Sequence, residues 1–286
     1  MRIRREPAIE IKTTAQLAAM AEAGQVVARA LSAAAAAVAP GVSTAQLDAI
    51  AAREIRAAGA APSFLGYHGF PATICACVNN EVVHGIPRAG RRLRDGDVVS
   101  IDCGAIVDGW HADAALTVPV GTVRAELRLL LDKCERALWH GLAAARPGAR
   151  LGDISHAVER CARPGGPGTP ARRYGIVEDY VGHGIGSEMH MDPMVPNRGR
   201  PGRGPVLAEG MALAVEPLLV LGSPGTRLLD DGWTVVTEDG SPAAHFEHTV
   251  AITNSGPWVL TAADGGREGL ARLAQQPPRE LAQSHS

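Results

Sequence analysis

Aromatic residues are scarce in this sequence of 286 residues, where tryptophan, tyrosine and phenylalanine together make up 3%. An excess of charge of one sign is also lacking, because 28 basic and 30 acidic residues leave a net charge of −2. Such a balance argues against a basic surface for nucleic acids or anionic membranes. The longest run of small apolar residues, Ala33 to Ala39, ends at Pro40-Gly41, far short of the ~20 residues that span a bilayer. We therefore expect a soluble, cytoplasmic protein that binds neither nucleic acid nor membrane.

Several motifs of common enzyme classes are absent too. The sequence has no HExxH zinc-protease motif, no GxSxG nucleophile elbow, and neither a Walker nor a Rossmann glycine motif. Its five cysteines are odd in number and lack the spacing of a zinc ribbon. A chain of this length does not need disulfides for stability, so we expect reduced thiols, in agreement with a cytosolic location. The cysteines are Cys75, Cys77, Cys103, Cys134 and Cys161.

The hydrophobic pattern predicts two similar halves, each with two helices followed by strands. Pro40-Gly41 and the residues after it have a counterpart at Pro147-Gly148, at an offset of 107 residues. An α+β fold in which two halves share one sheet explains this repeat, and a generic α+β domain fits nearly as well. The predicted helices cover residues 13–39, 43–59, 123–145 and 153–163, the first two opened by capping boxes. The predicted strands cover residues 73–78, 98–107, 114–120, 211–220, 233–237 and 246–252.

Two aspartates lie on a predicted β-hairpin. Asp108-Gly109 is a strong signal for a two-residue turn between strands. With that turn Ala115 lies opposite Asp102, and Asp113 is the diagonal neighbour of Asp102 on the same face, about 7–8 Å away at the backbone. Two such carboxylates repel each other unless a cation lies between them. The pair therefore indicates a cation site, and the alternative is that one aspartate caps a turn or faces solvent.

Other polar residues stand in glycine-rich or apolar surroundings. The glycines of the GHGIG segment (182–186) predict close backbone packing around His183, and His190 follows seven residues later. Glu216 and Glu247 occupy apolar strand-like runs, where a carboxylate is costly unless it is paired or metal-bound. The alternatives are histidines with ordinary surface or core roles and, beside Pro217, an edge strand on which Glu216 faces water.

Four carboxylates and one imidazole form the predicted donor set. Such hard, oxygen-rich donors suit Mn²⁺, Fe²⁺, Co²⁺ or Zn²⁺ and do not require a thiolate. Four negative charges balance two divalent ions, so we predict a site for a pair of metal ions. The donors are Asp102, Asp113, His183, Glu216 and Glu247.

The segments around these residues resemble the signature segments of the type I methionine aminopeptidases, in that family's order and spacing, and the similarity covers about residues 9–262. The resemblance implies the pita-bread (creatinase/aminopeptidase) fold, an α+β fold with two pseudo-symmetric halves around a curved antiparallel sheet. The segments are HGIP (84–87), SIDCGAIVDGWHADAA (100–115), GHGIG and the following histidine (182–190), GMALAVEP (210–217) and FEHT (246–249). The expected organisation is an N-terminal segment at 1–11, one catalytic domain at 12–262 with halves of about 12–121 and 122–262, and a disordered tail at 263–286.

The resemblance also implies how the donors share the metals. Asp102 chelates one metal, whereas Asp113 and Glu247 bridge both. His183 and Glu216 complete the ligands of one metal, and Glu216 also moves a proton.

Substrate contacts follow from the same resemblance. His84 and His190 contact the substrate amide and the developing oxyanion. An apolar pocket holds the methionine side chain, although ordinary core packing is an alternative for Phe70 and Cys75. The implied pocket residues are Tyr67, Phe70, Cys75, Met189 and Trp233.

The implied activity is removal of the initiator methionine from nascent proteins, with a small second residue preferred and with two ions of Co, Mn, Fe or Zn as cofactor. The implied partners are N-terminal methionyl peptides and the ribosome, and we expect a monomer.

Two features depart from the family pattern. Relatives often carry an acidic residue at the position of Met191, and the 163–173 loop is an insertion. Two other functions stay open: an Xaa-Pro aminopeptidase or dipeptidase, which usually has a separate N-terminal domain, and a non-catalytic partner-binding protein, which typically lacks metal ligands.

Overall fold

The computed structural model describes residues 9–163 and 174–274. The helices are α1 (Thr14–Ala36), α2 (Thr44–Ala57), α3 (Ala125–Ala144), α4 (Leu151–Ala162) and α5 (Arg267–Ala274), with a 3₁₀ turn at Tyr67–Gly69. The strands of the first half are β1 (Ala61–Pro62), β2 (Ile74–Val78), β3 (Glu81–Val83), β4 (Val98–Val107) and β5 (Trp110–Pro119). Those of the second half are β6 (Gly175–Ile176), β7 (Gly182–Gly184), β8 (Met191–Val195), β9 (Ala212–Val215), β10 (Leu218–Val220), β11 (Thr226–Leu228), β12 (Val235–Thr237), β13 (Ala243–His245), β14 (Glu247–Thr253) and β15 (Gly256–Val259).

Capping side chains define where the first two helices begin. The hydroxyl oxygens of Thr13 and Ser43 accept hydrogen bonds from the backbone N–H groups of Gln16 and Gln46, whose side chains in turn accept from the capping residues' N–H groups. The two predicted capping boxes are therefore confirmed. Helix α1 ends at Ala36, slightly before the predicted end at residue 39.

Nine strands form one antiparallel sheet that both halves share. Its order is β1-β4-β5-β14-β9-β7-β8, with β2 paired to β4 and β15 paired to β14. The two halves meet where β5 pairs with β14. Helices α1 and α2 bury their apolar faces on the strands of the first half, and α3 and α4 cover those of the second. The prediction of two halves sharing one sheet is confirmed.

The predicted hairpin forms with the expected register. Asp108 and Gly109 both have positive φ angles, of 49° and 81°, which is typical of the tight turn that joins two twisted strands. Asp102 pairs with Ala115 across β4 and β5, so Asp113 is the diagonal neighbour of Asp102. One predicted strand, 211–220, is instead two strands, β9 and β10, because the Glu216-Pro217 pair interrupts the ladder.

The prediction of a disordered tail from residue 263 is wrong for residues 263–274. Helix α5 occupies most of this stretch, and the Asp264 carboxylate accepts hydrogen bonds from the N–H groups of Gly266 and Glu268 at its start. Leu270 packs against the core of the second half. The absence of a side chain at Gly269 lets α5 lie against the Trp139 ring, where a Cβ would come within 2.4 Å. A polar stretch is thus ordered by a few apolar contacts with α3.

Three predicted features lie outside the described residues: positions 1–8 of the N-terminal segment, positions 164–173 of the inserted loop, and positions 275–286 of the tail. Within the described ranges, no helix combines the length and the apolar character needed to cross a membrane.

Helix α1 also contacts the end of the second half. The Gln25 side-chain amide donates hydrogen bonds to the carbonyl oxygens of Leu260 and Ala262. At Gly24 the helix backbone approaches so closely that a Cβ would lie 2.3 Å from the Leu260 carbonyl oxygen. The missing side chain at Gly24 therefore allows the two halves to pack together.

We predict that Gly24→Ala destabilises the protein. In an isolated helix the substitution would stabilise by up to ~1 kcal/mol. Here the added methyl group meets the backbone of Leu260, so a net loss of about 1–3 kcal/mol is expected. Urea unfolding measures the change, and Glu22→Ala, at an exposed position of the same helix, should stay within about 0.5 kcal/mol of the parent protein. A stabilised Gly24→Ala variant would contradict this packing.

Candidate metal centre

A cavity of about 460 Å³ brings the predicted donors together. Its lining contains carboxylates and also a cluster of apolar and aromatic side chains, which form its apolar side. All five predicted metal ligands line it: Asp102, Asp113, His183, Glu216 and Glu247.

Three neighbouring strands contribute three of the four acidic residues. Asp102 on β4 and Asp113 on β5 are brought side by side by the hairpin register, and Glu247 on β14 pairs with Ala115. Thr249 holds β14 against β5 by two hydrogen bonds. Its hydroxyl donates one to the Asp113 carbonyl oxygen (2.8 Å) and accepts one from the Asp113 N–H (3.0 Å). Side-chain positions in this part of the site are thus fixed by the sheet ladder itself.

Glycines bring His183 to the site, as the sequence predicts. A Cβ at Gly182 or Gly184 would lie 2.3 Å or 2.2 Å from a carbonyl oxygen of a neighbouring strand. The Nδ1 atom of His183 lies 2.9 Å from the Gly184 carbonyl oxygen, to which it donates. This tautomer leaves Nε2 as an acceptor, 3.7 Å from the Glu216 carboxylate.

Glu216 lies in the gap between β9 and β10 rather than inside a strand. Its carbonyl oxygen accepts a hydrogen bond from the Asn197 side chain at 2.9 Å. The Glu216 side chain is only 13% exposed and points into the cavity, so the alternative in which it faces water is wrong.

The residues present fit a divalent cation. Donor atoms of Asp113, His183 and Glu247 all lie within 4.8 Å of one another. Among the described residues, one oxygen each of Asp102, Asp113 and Glu247 is buried without a hydrogen-bond partner. Buried acceptors without donors are costly, and a cation would satisfy them.

The electrostatics lead to the same conclusion. Burial raises the pKa of Asp113 to about 7. Burial and the nearby Asp113 charge raise the pKa of Glu216 to about 8 and that of Glu247 above its usual range. Burial, Asp113 and Glu216 likewise raise the pKa of Asp102. Without positive charge, the cavity therefore retains protons on its carboxylates at neutral pH.

The neighbouring histidines are uncharged. Burial, and secondly the proximity of His190, lower the pKa values of His183 and His84 to about 4. Burial also lowers the pKa of His190. Neutral imidazoles can serve as metal ligands or as hydrogen-bonding groups.

His84 and His190 stand at the edge of the carboxylate group. His84 has a positive φ of 59°, an uncommon conformation for a residue with a side chain, and its ring contacts Tyr180 and Trp233. The Nδ1 atom of His190 lies 2.9 Å from the Tyr67 hydroxyl, and its ring centroid is 4.4 Å from that of His183. Tyr67 is thus a partner of His190, at a site where Met191 offers no acidic group.

The apolar side of the cavity contains all five predicted pocket residues. Phe70 and Trp233 meet edge to face with ring centroids 5.1 Å apart. Phe70 and Cys75 belong to a small core cluster and also line the cavity. The five residues are Tyr67, Phe70, Cys75, Met189 and Trp233.

Sequence reasoning missed two residues that contact the donors. His245 lines the cavity beside Glu216 and Glu247, and Thr249 holds Asp113. A signal existed for Thr249, because it lies two residues after Glu247 on β14 and alternate residues of a strand share a face. His245 lies on a different strand, β13, so this alternation did not indicate it.

Comparisons with known proteins show the family of this chain. The model of metallopeptidase family M24 matches residues 18–254. Methionine aminopeptidase 1 of Mycobacterium tuberculosis (strain CDC 1551 / Oshkosh) is 53% identical over 260 residues, covering 91% of this chain and 97% of that protein. Methionine aminopeptidase 1 of Bacillus subtilis (strain 168) is 46% identical over 250 residues, covering 87% and 98%.

Solved structures resemble the fold as a whole. The crystal structure of methionine aminopeptidase from Thermotoga maritima has a TM-score of 0.85 at 38% identity and covers 89% of this chain and 99% of that chain. A prolidase from Pyrococcus furiosus, similar in fold alone, has a TM-score of 0.68 at 23% identity and covers 88% of this chain and 65% of that chain. The predicted pita-bread fold is confirmed. The chain belongs to metallopeptidase family M24 and, within it, to the type I methionine aminopeptidases.

Proposed function

We propose that this protein hydrolyses the first peptide bond of polypeptides that begin with methionine, and so removes the initiator methionine from newly made proteins. The observation that carries the proposal is the group of four acidic side chains and His183 facing an apolar pocket in one cavity. The M24 match and the relatives named methionine aminopeptidase support it.

The proposed cofactor is a pair of divalent ions of Co, Mn, Fe or Zn. Asp102 would chelate one ion, Asp113 and Glu247 would bridge the two, and His183 and Glu216 would complete one ligand set. A divalent ion bound there acts as a Lewis acid that polarises the scissile carbonyl and lowers the pKa of water. The unpartnered carboxylate oxygens support this assignment.

Three side chains are proposed to act on the substrate. Glu216 takes and returns a proton as general base and acid. His84 and His190 hydrogen-bond to the substrate amide and to the oxygen that gains negative charge, which lowers the barrier when the donors are already in place. Their neutral state at pH 7 supports this role.

The methionine side chain would occupy the apolar side of the cavity. Tyr67, Phe70, Cys75, Met189 and Trp233 are the proposed contacts.

We further propose that the enzyme prefers a small second residue. The proposed catalytic domain is monomeric and covers residues 12–262, with halves of about 12–121 and 122–262. We also propose that the protein is cytoplasmic and contacts the ribosome.

Metal removal should abolish activity. A chelator is expected to stop release of methionine from Met-Gly-Met-Met, and Mn²⁺, Co²⁺, Fe²⁺ or Zn²⁺ added singly should restore it to different extents. Asp102→Ala and His183→Ala should each lower kcat/KM by about 10²–10³-fold at saturating metal, because each removes a metal ligand. The control is His156→Ala, on α4 and outside the cavity lining, which should retain full activity. Retained activity in both ligand variants would refute the proposed site.

The apolar pocket should select the first side chain. Replacing the first methionine of the peptide by alanine should lower kcat/KM by about 10²-fold, since roughly 2–3 kcal/mol of apolar contact is lost. Trp233→Ala should reduce this ratio, whereas Trp258→Ala, in a tryptophan that does not line the cavity, should leave it unchanged. Faster cleavage of Xaa-Pro peptides than of the methionyl peptide would instead favour a proline-specific peptidase.

The metal-free protein should lose stability as pH rises from about 6.5 to 8. Asp113 and Glu216, with pKa values of about 7 and 8, hold protons in the folded state that they release when unfolded. The folded state thus binds more protons, and the free energy of unfolding falls with rising pH. The neutral buried histidines act in the opposite direction only below about pH 6.5, their unfolded pKa.

Thermal unfolding of the chelated protein at several pH values measures this effect. The combined Asp113→Asn and Glu216→Gln substitutions, which cannot ionise, should make the slope shallower, while Asp102 and Glu247, whose pKa values are also raised, still contribute to it. Saturating metal should flatten the slope in the parent chain. Stability that rises across this window in the metal-free parent would show that the carboxylates are ionised in the folded state.

A further inference from the structure

The strongest unassigned feature of the cavity is His245. Its side chain is 3% exposed, and its Nε2 atom lies 3.7 Å from one oxygen of Glu216 and 3.7 Å from one oxygen of Glu247. This nitrogen has no hydrogen-bond partner among residues 9–163 and 174–274. A buried polar atom without a partner, directed between two acidic groups, needs a physical reason.

The backbone of His245 is held from two sides. The Thr117 hydroxyl accepts from the His245 N–H and donates to its carbonyl oxygen, both at 2.8 Å. The Thr117 hydroxyl also lies 2.9 Å from that of Ser100, inside the β4–β5 hairpin. On the other side His245 pairs with Leu218, two residues after Glu216. The same ladder therefore fixes the spacing between the imidazole and the Glu216 carboxylate.

The contacts favour a hydrogen-bond donor over a metal ligand. Ionised carboxylates only accept hydrogen bonds, so an imidazole that faces two of them is stabilised when Nε2 carries the proton. A shift of about 0.5 Å brings 3.7 Å to the range of a normal hydrogen bond.

We propose that His245 is a positioning residue, whose Nε2–H donates to the carboxylates of Glu216 and Glu247 and holds them in the orientation that binds the metal ions. The proposal rests on the proposed function. Glu216 then has an imidazole near each of its oxygens, His183 at one and His245 at the other, each 3.7 Å away. A donor such as the Nε2–H group of His245 fixes ligand orientation, and loss of such a donor typically costs 10–100-fold in metal affinity or activity.

Three substitutions separate this role from simple packing. His245→Gln retains an amide N–H that reaches about as far as Nε2, His245→Asn retains an amide that is one methylene shorter, and His245→Leu fills the space without a donor. The primary measurement is the affinity of the chelated protein for Co²⁺, by calorimetry and visible absorption. The kcat and KM for Met-Gly-Met-Met are measured in parallel.

The expected result is a 10–100-fold weaker Co²⁺ affinity for His245→Leu and His245→Asn, with His245→Gln within about threefold of the parent. The loss of activity should appear in kcat rather than in KM, because His245 acts through Glu216 and Glu247. If His245→Leu does not fold, the Co²⁺ affinities of His245→Gln and His245→Asn are sufficient to test the proposal. His156→Leu is the control for removal of a histidine elsewhere.

Parent-like Co²⁺ affinity in His245→Asn, or in a folded His245→Leu, would overturn the proposal, as would a Gln variant as weak as Asn. A parent chain that binds Co²⁺ but does not cleave the methionyl peptide would contradict the proposed function alone. The affinity series would still test His245 in that case.

Discussion

The burial of four carboxylates in one cavity is the constraint on which the rest of the structure depends. Loss of hydration raises the pKa of Asp113 to about 7, and loss of hydration together with the nearby Asp113 charge raises that of Glu216 to about 8. The metal-free chain therefore resists ionising the groups that a cation requires. Burying these groups lowers the free energy of unfolding of the metal-free chain, so the rest of the fold must contribute enough stability to offset it. The two halves supply this stability through separate helix-covered cores that flank the shared sheet. Asp113 and Glu247 lie where β5 meets β14, and a divalent ion bound there would offset the repulsion between these two carboxylates.

Backbone contacts, rather than long flexible side chains, set the positions of the charged groups. The hairpin turn at Asp108-Gly109 fixes Asp102 against Asp113, the Thr249 hydroxyl ties Asp113 to the strand that carries Glu247, and close packing at Gly184 orients His183. Each of these is a short-range contact with little freedom. Because a metal site tolerates errors of only a few tenths of an ångström, placing its ligands on neighbouring strands gives the required precision without further ordering when an ion binds.

Local features of the sequence were sufficient for part of this picture. The period of the strands and the turn dipeptide predicted the Asp102–Asp113 register, because a two-residue hairpin leaves one possible alignment. The order in α5 could not be predicted in the same way, since it depends on Trp139 in another helix. The neighbourhood of His245 was also hidden, because it results from the pairing of β10 with β13, a contact that no local pattern encodes. The family resemblance added the ligand roles, which neither periodicity nor charge could supply.

The division of the cavity into an acidic and an apolar side separates chemistry from specificity. The acidic residues of β4, β5 and β14 belong to the central sheet, and a chain as distant as the Pyrococcus furiosus prolidase retains that overall fold. The pocket residues lie mainly outside the sheet: Tyr67 in a 3₁₀ turn, Met189 between β7 and β8, and Trp233 just before β12. Connecting segments can change without disturbing the ladder that positions the charges. The choice between methionine and another first residue should therefore be sought in these segments, because the fold itself does not determine it.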